Sequence, residues 1–399
     1  MPLAIFALTI AAYAIGTTEF VIVGLLPTVA ADLDITLPLA GLIVSVYALG
    51  VTFGAPILTA LTGRIERKPL LLGLMALFVV GNTAAALSPS YQVLLVARVL
   101  SAFAHGVFFS VGSTIAADLV PENRRASAIA MMFMGLTVAI VTGVPIGTYI
   151  GQAFGWRATF WAVAALGVVA FAGIAMLLPR TLSKAAQARL LDQLRVLGSG
   201  RLLIVFAMTA LGYGGTFVAF TFLAPILQEI TGFSEESVSL MLVLYGVSIA
   251  IGNIAGGRIA NTNPVKALIG LFILQALVLA IFSFTAASPV LTLVTLAALG
   301  FLSFANVPGL QLYVVQLAKE HRPGAVDVAS ALNIAAFNLG IALGAWLGGI
   351  IVDSSLGLAA TPWVGATLVA AALLLTLWSG ALDRRTTAPC VFADARRSV

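Results

Sequence analysis

The chain alternates between long apolar runs and short segments that carry charges, glycine and proline. Each run supplies the roughly 20 residues that a helix needs to cross the hydrocarbon core of a membrane. Charges are rare within the runs and collect between them, which is the pattern of spanning helices joined by loops. We therefore predict twelve spans, at residues 3–26, 38–61, 69–87, 92–117, 126–150, 158–178, 202–227, 237–257, 266–286, 290–315, 327–351 and 363–380.

The composition excludes a water-soluble protein. Of the 399 residues, 61% are hydrophobic and 9% are charged, whereas a soluble globular protein carries about 25% charged residues. So few charges cannot cover the surface of a soluble fold of this length. The predicted fold class is an all-α membrane protein with twelve transmembrane helices in contact with a lipid bilayer.

The positions of the basic residues predict the orientation. With both termini in the cytoplasm, all of the twenty lysines and arginines except Arg98 and Arg157 lie in cytoplasmic loops or tails. Enrichment of Lys and Arg on the cytoplasmic side is the positive-inside rule. The pI of about 9.6 therefore reflects topology and not nucleic-acid binding. We expect a multi-pass protein of the cell inner membrane with both termini cytoplasmic.

The two halves of the chain repeat each other weakly. Pro27 and Pro225, which we expect to end the first and seventh helices, are 198 residues apart, and so are Tyr47 and Tyr245 in the second and eighth helices. Parallel repeats of six helices are one architecture of secondary transporters. We therefore predict two pseudo-symmetric six-helix bundles with a cytoplasmic linker and a cytoplasmic tail. Their bounds are 1–178 and 202–380 for the bundles, 179–201 for the linker and 381–399 for the tail.

Three side chains within the predicted spans can carry charge: Glu19 in the first helix, and Arg98 and His105 in the fourth. A charge near the membrane centre costs at least ~2.5–3.5 kcal/mol on insertion scales, so such residues are functional candidates. Counting from the helix ends places Glu19 and Arg98 at similar depth. Burial favours a neutral carboxylic acid and a facing arginine favours the carboxylate, so a conformational change can couple proton binding to movement. The alternatives are a static Glu19–Arg98 pair and a packing role for His105.

The fifth predicted helix carries a stripe of glycines with a proline inside it. The spacings of eight, four and four residues align the glycines on one face, which lets another helix approach closely. We expect Pro145 to kink this helix. The stripe consists of Gly135, Gly143, Gly147 and Gly151.

These motifs resemble those of the major facilitator superfamily, in its drug:proton antiporter branch. Residues 143–147 (Gly-Val-Pro-Ile-Gly) resemble the antiporter motif of that branch, and residues 98–106 resemble the fourth-helix motif of the superfamily. Residues 17–27 and 155–160 are similar to bacterial sugar-efflux and arabinose-efflux-like permeases. The resemblance covers essentially the whole chain. It implies two bundles that rock around a central cavity, a working monomer, and export driven by proton entry.

The loop between the second and third helices departs from the superfamily pattern. Gly63 stands where the pattern has an aspartate that helps to latch the two halves. The resemblance still implies that Arg64, Arg67 and Lys68 are cations of an inner gate. Either Glu66 or Asp118 is a candidate to replace the missing carboxylate. The alternative is that these cations only enforce the topology.

Several uncharged polar side chains are candidates for the substrate cavity. Asn306 is slightly favoured because it lies in a presumed cavity helix. Amides within a membrane helix need hydrogen-bond partners, which can be other helices instead of cargo. The candidates are Tyr47, Tyr213, Tyr245, Asn306, Gln311, Asn333 and Asn338.

The sequence thus predicts a proton-coupled efflux antiporter for small organic molecules, either sugars and their derivatives or drugs. It contains no phosphate-binding loop, no His-Glu-x-x-His motif and no Cys/His cluster, so we expect neither an enzyme nor a cofactor, and a proton gradient as the energy source. One alternative is a proton-coupled symporter that imports a nutrient. An alternative of another class is a non-transporting membrane receptor or assembly protein.

Overall fold

A computed structural model describes residues 2–62, 65–121, 125–179, 196–260, 262–321 and 326–387. All regular structure in these ranges is helical, and twelve helices are long and apolar enough to cross a membrane. They are α1 (Leu3–Asp32), α2 (Leu37–Thr62), α3 (Arg67–Ala86), α4 (Tyr91–Asp118), α5 (residues 125–154), α6 (Trp156–Leu177), α7 (residues 200–230), α8 (Glu235–Ala260), α9 (Pro264–Thr285), α10 (Pro289–His321), α11 (Val326–Asp353) and α12 (Thr361–Thr387). The predicted fold class and the twelve spans are confirmed.

Several helix ends differ from the prediction. The expectation that Pro27 ends the first helix is wrong, because α1 continues to Asp32. A proline is tolerated inside a membrane helix, where neighbouring groups can satisfy the freed carbonyl. Helix α12 extends to Thr387, past residue 380, where the last predicted span ends. Residues 180–195 of the predicted linker and residues 388–399 of the tail lie outside the described residues.

Three of the twelve helices are interrupted. In α5, the π-helical turn Ala139–Gly143 lies directly before the segment that contains Pro145, so the predicted disturbance takes the form of a wider turn. Helix α7 breaks at residues 221–222, three residues before Pro225, and then continues to Ile230, so the expectation that Pro225 ends the seventh helix is also wrong. Helix α10 breaks at Asn306. Such breaks near the middle of a membrane are tolerated where the backbone is surrounded by protein.

The helices pack as two groups of six. In the first half α1 contacts α5 and α6, while α4 contacts α2 and α3; in the second half α7 contacts α11 and α12, while α10 contacts α8 and α9. The main contacts between the halves are α2 with α11 and α5 with α8. Twelve spans place both chain ends on one face of the molecule, which we call the terminus face, and we call the opposite one the far face. The division agrees with the weak sequence repeat.

Three hydrogen bonds within the described residues cross between the halves. Ser45 donates to the carbonyl of Ala342 at 2.9 Å, and Thr52 donates to the carbonyl of Ala335 at 3.4 Å. Near the far face, the Ser239 hydroxyl donates to Gln152 Oε1 at 2.9 Å. Counting along α2, α8 and α11, these contacts lie between the far face and a level just past the middle of the membrane. The described polar contacts between the halves therefore concentrate on the far side.

Candidate functional site

The glycine stripe of α5 determines where α1 lies. A methyl group added at Gly143 would meet the Thr17 side chain, and one added at Gly147 would meet Val21. At Gly135 it would meet the backbone of Thr9. The glycines thus let α1 pack directly against α5, as the sequence predicted, and they fix the position of the segment of α1 that carries Glu19.

Glu19 lies between the two halves of the molecule and does not face lipid. Glu19 lines a small pocket and is 8% exposed. Its Oε2 lies 3.9 Å from His105 Nδ1, the one ion-pair distance that it makes among the described residues. Within the same residues, no hydrogen bond is made to the carboxyl group of Glu19. This carboxyl group is therefore free to bind a proton or a ligand.

Arg98 is buried next to Glu19 but is not bonded to it. Its Nη1 donates to the Thr18 carbonyl at 2.8 Å and to the Thr18 hydroxyl at 3.1 Å, which confirms that Arg98 reaches the depth of this part of α1. Its guanidinium carbon lies 4.0 Å from the centre of the Tyr47 ring. Nε and Nη2 have no hydrogen-bond partner among the described residues. The direct Glu19–Arg98 pair, which was the static alternative, is absent from the described contacts.

Thr18 links Arg98 to the third helix. The Thr18 hydroxyl donates to Asn82 Oδ1 at 2.6 Å, and Asn82 Nδ2 donates to the Phe78 carbonyl at 2.8 Å. Because Thr18 precedes Glu19 in the chain, this network holds the backbone beside the carboxyl group. Thr18 and Asn82 were not predicted as site residues, although a lone amide inside an apolar run was a detectable signal.

The repeat of 198 residues has a structural counterpart. The Tyr47 hydroxyl lies 3.1 Å from His105 Nδ1 and joins α2 to α4, and the Tyr245 hydroxyl lies 2.8 Å from Ser303 Oγ and joins α8 to α10. His105 and Ser303 are themselves 198 residues apart. The two halves therefore share the same brace between equivalent helices. The partner of the tyrosine is a histidine in the first half and a serine in the second half.

The amide candidates of the second half all donate hydrogen bonds to other groups of the protein. Asn306 Nδ2 donates to Gln275 Oε1 at 2.8 Å, and Gln275 in turn donates to Thr216. Asn333 Nδ2 donates to Gln311 Oε1 at 2.9 Å, and Gln311 Nε2 lies 2.5 Å from Ser330 Oγ. Thr209 donates to Asn333, and Asn338 donates to a carbonyl of its own helix. In this conformation the amide nitrogens of Asn306, Gln311 and Asn333 connect helices, which is the alternative to binding cargo, whereas that of Asn338 does not.

The pocket at Glu19 is small and mostly apolar. The space between its lining residues is about 230 Å³, and part of this space is open to solvent. It is formed by α1, α2, α7 and α11, and it lies at the boundary of the two halves. Its lining residues are Glu19, Phe20, Val23, Val44, Tyr47, Ala48, Phe217 and Ile341.

Two of the three predicted gate cations, Arg67 and Lys68, bond within the first half. Arg67 Nη1 lies 2.6 Å from Asp118 Oδ2 and joins α3 to α4. Lys68 donates to the carbonyls of Ala175 and Leu178 at the end of α6, at 2.8 and 2.6 Å. Asp118, and not the exposed Glu66, is thus the described carboxylate that pairs with Arg67. Arg64 lies outside the described residues.

Comparison with known families agrees with this architecture. The sequence profile described as Major Facilitator Superfamily matches residues 8–326. The chain belongs to the Major Facilitator Superfamily. Members of this superfamily are transporters, so the chain is a multi-pass membrane transporter and not an enzyme.

Relatives within the superfamily cover nearly the whole chain. The MFS-type transporter YtbD of Bacillus subtilis (strain 168) is 57% identical over 96% of each chain. The chloramphenicol resistance protein of Streptomyces lividans is 35% identical over 94% of this chain and 95% of its own length. A probable sugar efflux transporter of Helicobacter acinonychis (strain Sheeba) is 33% identical over 87% of this chain and 88% of its own length. The predicted resemblance to efflux permeases is confirmed.

A solved structure shows the same fold. The crystal structure of a D-xylose-proton symporter superposes with a TM-score of 0.74, covering 94% of this chain and 96% of the symporter chain. The two sequences are 15% identical, so this similarity concerns the fold alone.

Proposed function

We propose that this chain is a proton-coupled efflux antiporter of the cell inner membrane, with both termini in the cytoplasm. Glu19 binds the proton, and the two halves rock to expose the central pocket to each side of the membrane in turn. The transporter works as a monomer and takes its energy from the proton gradient. Its cargo is a small organic molecule.

The observation that carries this proposal is the position of the Glu19 carboxyl group. It is nearly buried at the boundary of the halves, and it lines the pocket without a hydrogen bond from the described residues. Arg98 and His105 lie beside it. In such surroundings the balance between the neutral acid and the carboxylate depends on water access and on the distance to Arg98. Both change when the halves move.

The gradient supplies enough energy for export. One proton that crosses 100 mV releases about 2.3 kcal/mol, which corresponds to a cargo gradient of roughly 40- to 50-fold. Arg98 remains buried in the described conformation, so protonation of Glu19 leaves a net positive charge at the site and its release restores neutrality. This difference in charge gives the two protonation states different preferences for an open or a closed pocket.

Export is favoured over import by the relatives. One is named for chloramphenicol resistance and another for probable sugar efflux, and the chain is similar to both over most of its length. The symporter alternative is supported by the fold shared with the D-xylose-proton symporter. This fold is compatible with either direction of cargo transport. A receptor without transport activity is disfavoured because the relatives are named as transporters.

Inside-out membrane vesicles acidified inside provide the test. We expect them to accumulate chloramphenicol, or a member of a panel of pentoses and hexoses, and to lose internal protons in the same experiment, as reported by a pH-sensitive dye. Glu19→Gln is expected to abolish accumulation while cargo binding persists and becomes independent of pH. Glu235→Gln is the matched control, because Glu235 is exposed at the start of α8.

The direction of proton movement decides between the candidates. Cargo that moves in the same direction as the protons would identify a symporter and refute export. Proton-driven transport that survives unchanged in Glu19→Gln would refute the role of Glu19. Binding of the probes without movement in purified proteoliposomes would favour the receptor alternative.

A further inference from the structure

One ring nitrogen of His105 faces two partners. Its Nδ1 lies 3.1 Å from the Tyr47 hydroxyl oxygen and 3.9 Å from Glu19 Oε2. The first distance is that of a hydrogen bond, and the second is about 1 Å too long for one. A ring nitrogen of a neutral imidazole is either a donor or an acceptor. In the described conformation Nδ1 is therefore bonded to Tyr47 and not to Glu19.

The burial of Tyr47 determines the direction of this bond. Tyr47 is 2% exposed, and the described residues offer its hydroxyl hydrogen no acceptor other than Nδ1. If Nδ1 donated to Tyr47 instead, the phenolic hydrogen would stay unbonded inside the protein, which carries the full cost of removing it from water. We therefore assign Tyr47 as the donor. Nδ1 of a neutral His105 then carries no hydrogen, and the single ring hydrogen lies on Nε2.

The packing of α2 against α4 supports the contact. A methyl group added at Gly50 would overlap Ala102, and one added at Gly106 would overlap Ala55. Ala102 and Gly106 lie before and after His105 on α4, so the two helices touch directly around this residue. The distance between the tyrosine and the histidine thus rests on close backbone packing.

Three further ionisable groups of the described residues surround His105. Glu19 faces it from α1, and Arg98 shares α4 with it. The guanidinium carbon of Arg98 lies 4.0 Å from the centre of the Tyr47 ring. Tyr213 on α7 lies within electrostatic range of Glu19. A positive charge on the imidazole would lie close to that of Arg98, which favours a neutral ring.

We propose that Tyr47 is a positioning residue that fixes the tautomer of His105 and thereby keeps the Glu19 carboxyl group unpaired. This inference rests on the proposed function, in which that carboxyl group exchanges a proton. While the Tyr47 hydroxyl donates to Nδ1, the imidazole has no hydrogen to donate to Glu19. Without the hydroxyl, Nε2 loses its proton to water and Nδ1 takes one up, so the charge of the site is unchanged. Nδ1 then donates to the ionised carboxylate and occupies it.

Tyr47 also connects this arrangement to the pocket. Its ring lines the pocket together with Glu19 and with Phe217 and Ile341 of the second half. A change in the pocket wall therefore reaches His105 through the tyrosine. The same side chain thus contacts the space for cargo and sets which nitrogen of His105 faces the proton carrier.

The second half supplies a matched control. There the Tyr245 hydroxyl meets Ser303, whose side chain has no tautomers. Phe217 stands 198 residues after Glu19, so this half has no carboxyl group at the equivalent position. Tyr245→Phe removes the same hydroxyl group as Tyr47→Phe and should lower Tm by a similar amount, without changing His105.

Nitrogen NMR of the full chain in lipid bilayers tests the proposal. The sequence contains two histidines, so His321→Gln, at the exposed end of α10, leaves His105 as the one labelled side chain. The chemical shifts of its ring nitrogens distinguish an Nε2–H from an Nδ1–H tautomer. Spectra are recorded above the range of about pH 8–9 in which deeply buried glutamates titrate. We expect the Nε2–H tautomer where Tyr47 is retained and the Nδ1–H tautomer in Tyr47→Phe.

The controls identify the acceptor. Tyr245→Phe should keep the Nε2–H tautomer. Glu19→Leu added to Tyr47→Phe should abolish the Nδ1–H form, and its persistence would refute Glu19 as the acceptor. An Nδ1–H tautomer in the chain that retains Tyr47, or an unchanged Nε2–H tautomer in Tyr47→Phe, would overturn the proposal. The first of these outcomes requires no substitution at the contact itself.

Transport measurements separate this proposal from the proposed function. We expect Tyr47→Phe to slow proton-driven accumulation of the probe in inside-out vesicles more than Tyr245→Phe does, and equal slowing would refute a role of the tautomer in transport. If export depends on Glu19 but the tautomer in Tyr47→Phe is unchanged, the role of Tyr47 is wrong and the antiport function stands. If the tautomer changes as expected but Glu19→Gln transports like the native chain, the antiport function is wrong and the orientation of His105 by Tyr47 stands.

Discussion

The most informative single substitution is Thr18→Val, because it removes one hydroxyl group and keeps the shape of the side chain. That hydroxyl accepts a bond from Arg98 Nη1 at 3.1 Å and donates to Asn82 Oδ1 at 2.6 Å. The Thr18 carbonyl remains as an acceptor for Arg98. The substitution therefore loosens the guanidinium group beside Glu19 without deleting a charge.

The expected loss of stability follows from these two bonds. Hydrogen bonds between side chains in membrane proteins contribute about 0.6 kcal/mol on average and up to about 1.7 kcal/mol. Losing two of them should cost about 1–3 kcal/mol. With an unfolding entropy of about 2.1 cal/mol/K per residue, a chain of this length would show a fall in Tm of about 1–4 °C.

Thr216→Val is the matched control. Thr216 lies 198 residues after Thr18 and accepts a hydrogen bond from Gln275, and no arginine in the described part of the chain bonds to it. We expect a smaller fall in Tm and unchanged proton coupling. Thr18→Val should also uncouple transport, measured as the number of protons released per probe molecule in inside-out vesicles. Equal coupling in Thr18→Val and the native chain would refute the role assigned to the Arg98 environment.

Three further predictions concern packing and ion pairs. Gly135→Ala should sharply reduce the yield of folded protein in size-exclusion chromatography, because its Cβ would overlap the Thr9 backbone, whereas Gly173→Ala should be tolerated because its Cβ would make ordinary contacts. Arg67→Gln should lower Tm more than Arg157→Gln, because the arginine side chain of the Arg67–Asp118 pair is 8% exposed and that of the Arg157–Asp32 pair is 37% exposed. The effect of Arg157→Gln should shrink at high salt, since exposed pairs contribute about 0–1 kcal/mol and are screened.

The number and order of the helices were predictable because apolar length is a direct consequence of membrane thickness. The helix ends were not, since α1 and α12 continue past the ends of the predicted spans. The breaks in α7 and α10 were also missed. At Asn306 the break coincides with a fully buried amide that bonds to Gln275 on another helix, a tertiary contact that no local pattern contains.

The residues of the candidate site were easier to predict from the sequence than the contacts between them. Buried ionisable residues are rare in membrane helices, so Glu19, Arg98 and His105 stood out, and helix geometry placed the first two at similar depth. Which atoms meet depends on side-chain packing. Arg98 bonds to Thr18 and stacks on Tyr47, and the carboxyl group of Glu19 is left to the pocket. The pattern of spans does not determine which of these contacts form.

The two tyrosine braces, Tyr47–His105 and Tyr245–Ser303, join equivalent helices of the two halves but differ in the partner of the tyrosine. Each half has the cross-link that holds its helices, but an acid–base partner stands in the first half only. If Glu19 carries the proton, as proposed, substitutions in the second half can change which cargo is bound and leave the acid–base partner of the first half untouched.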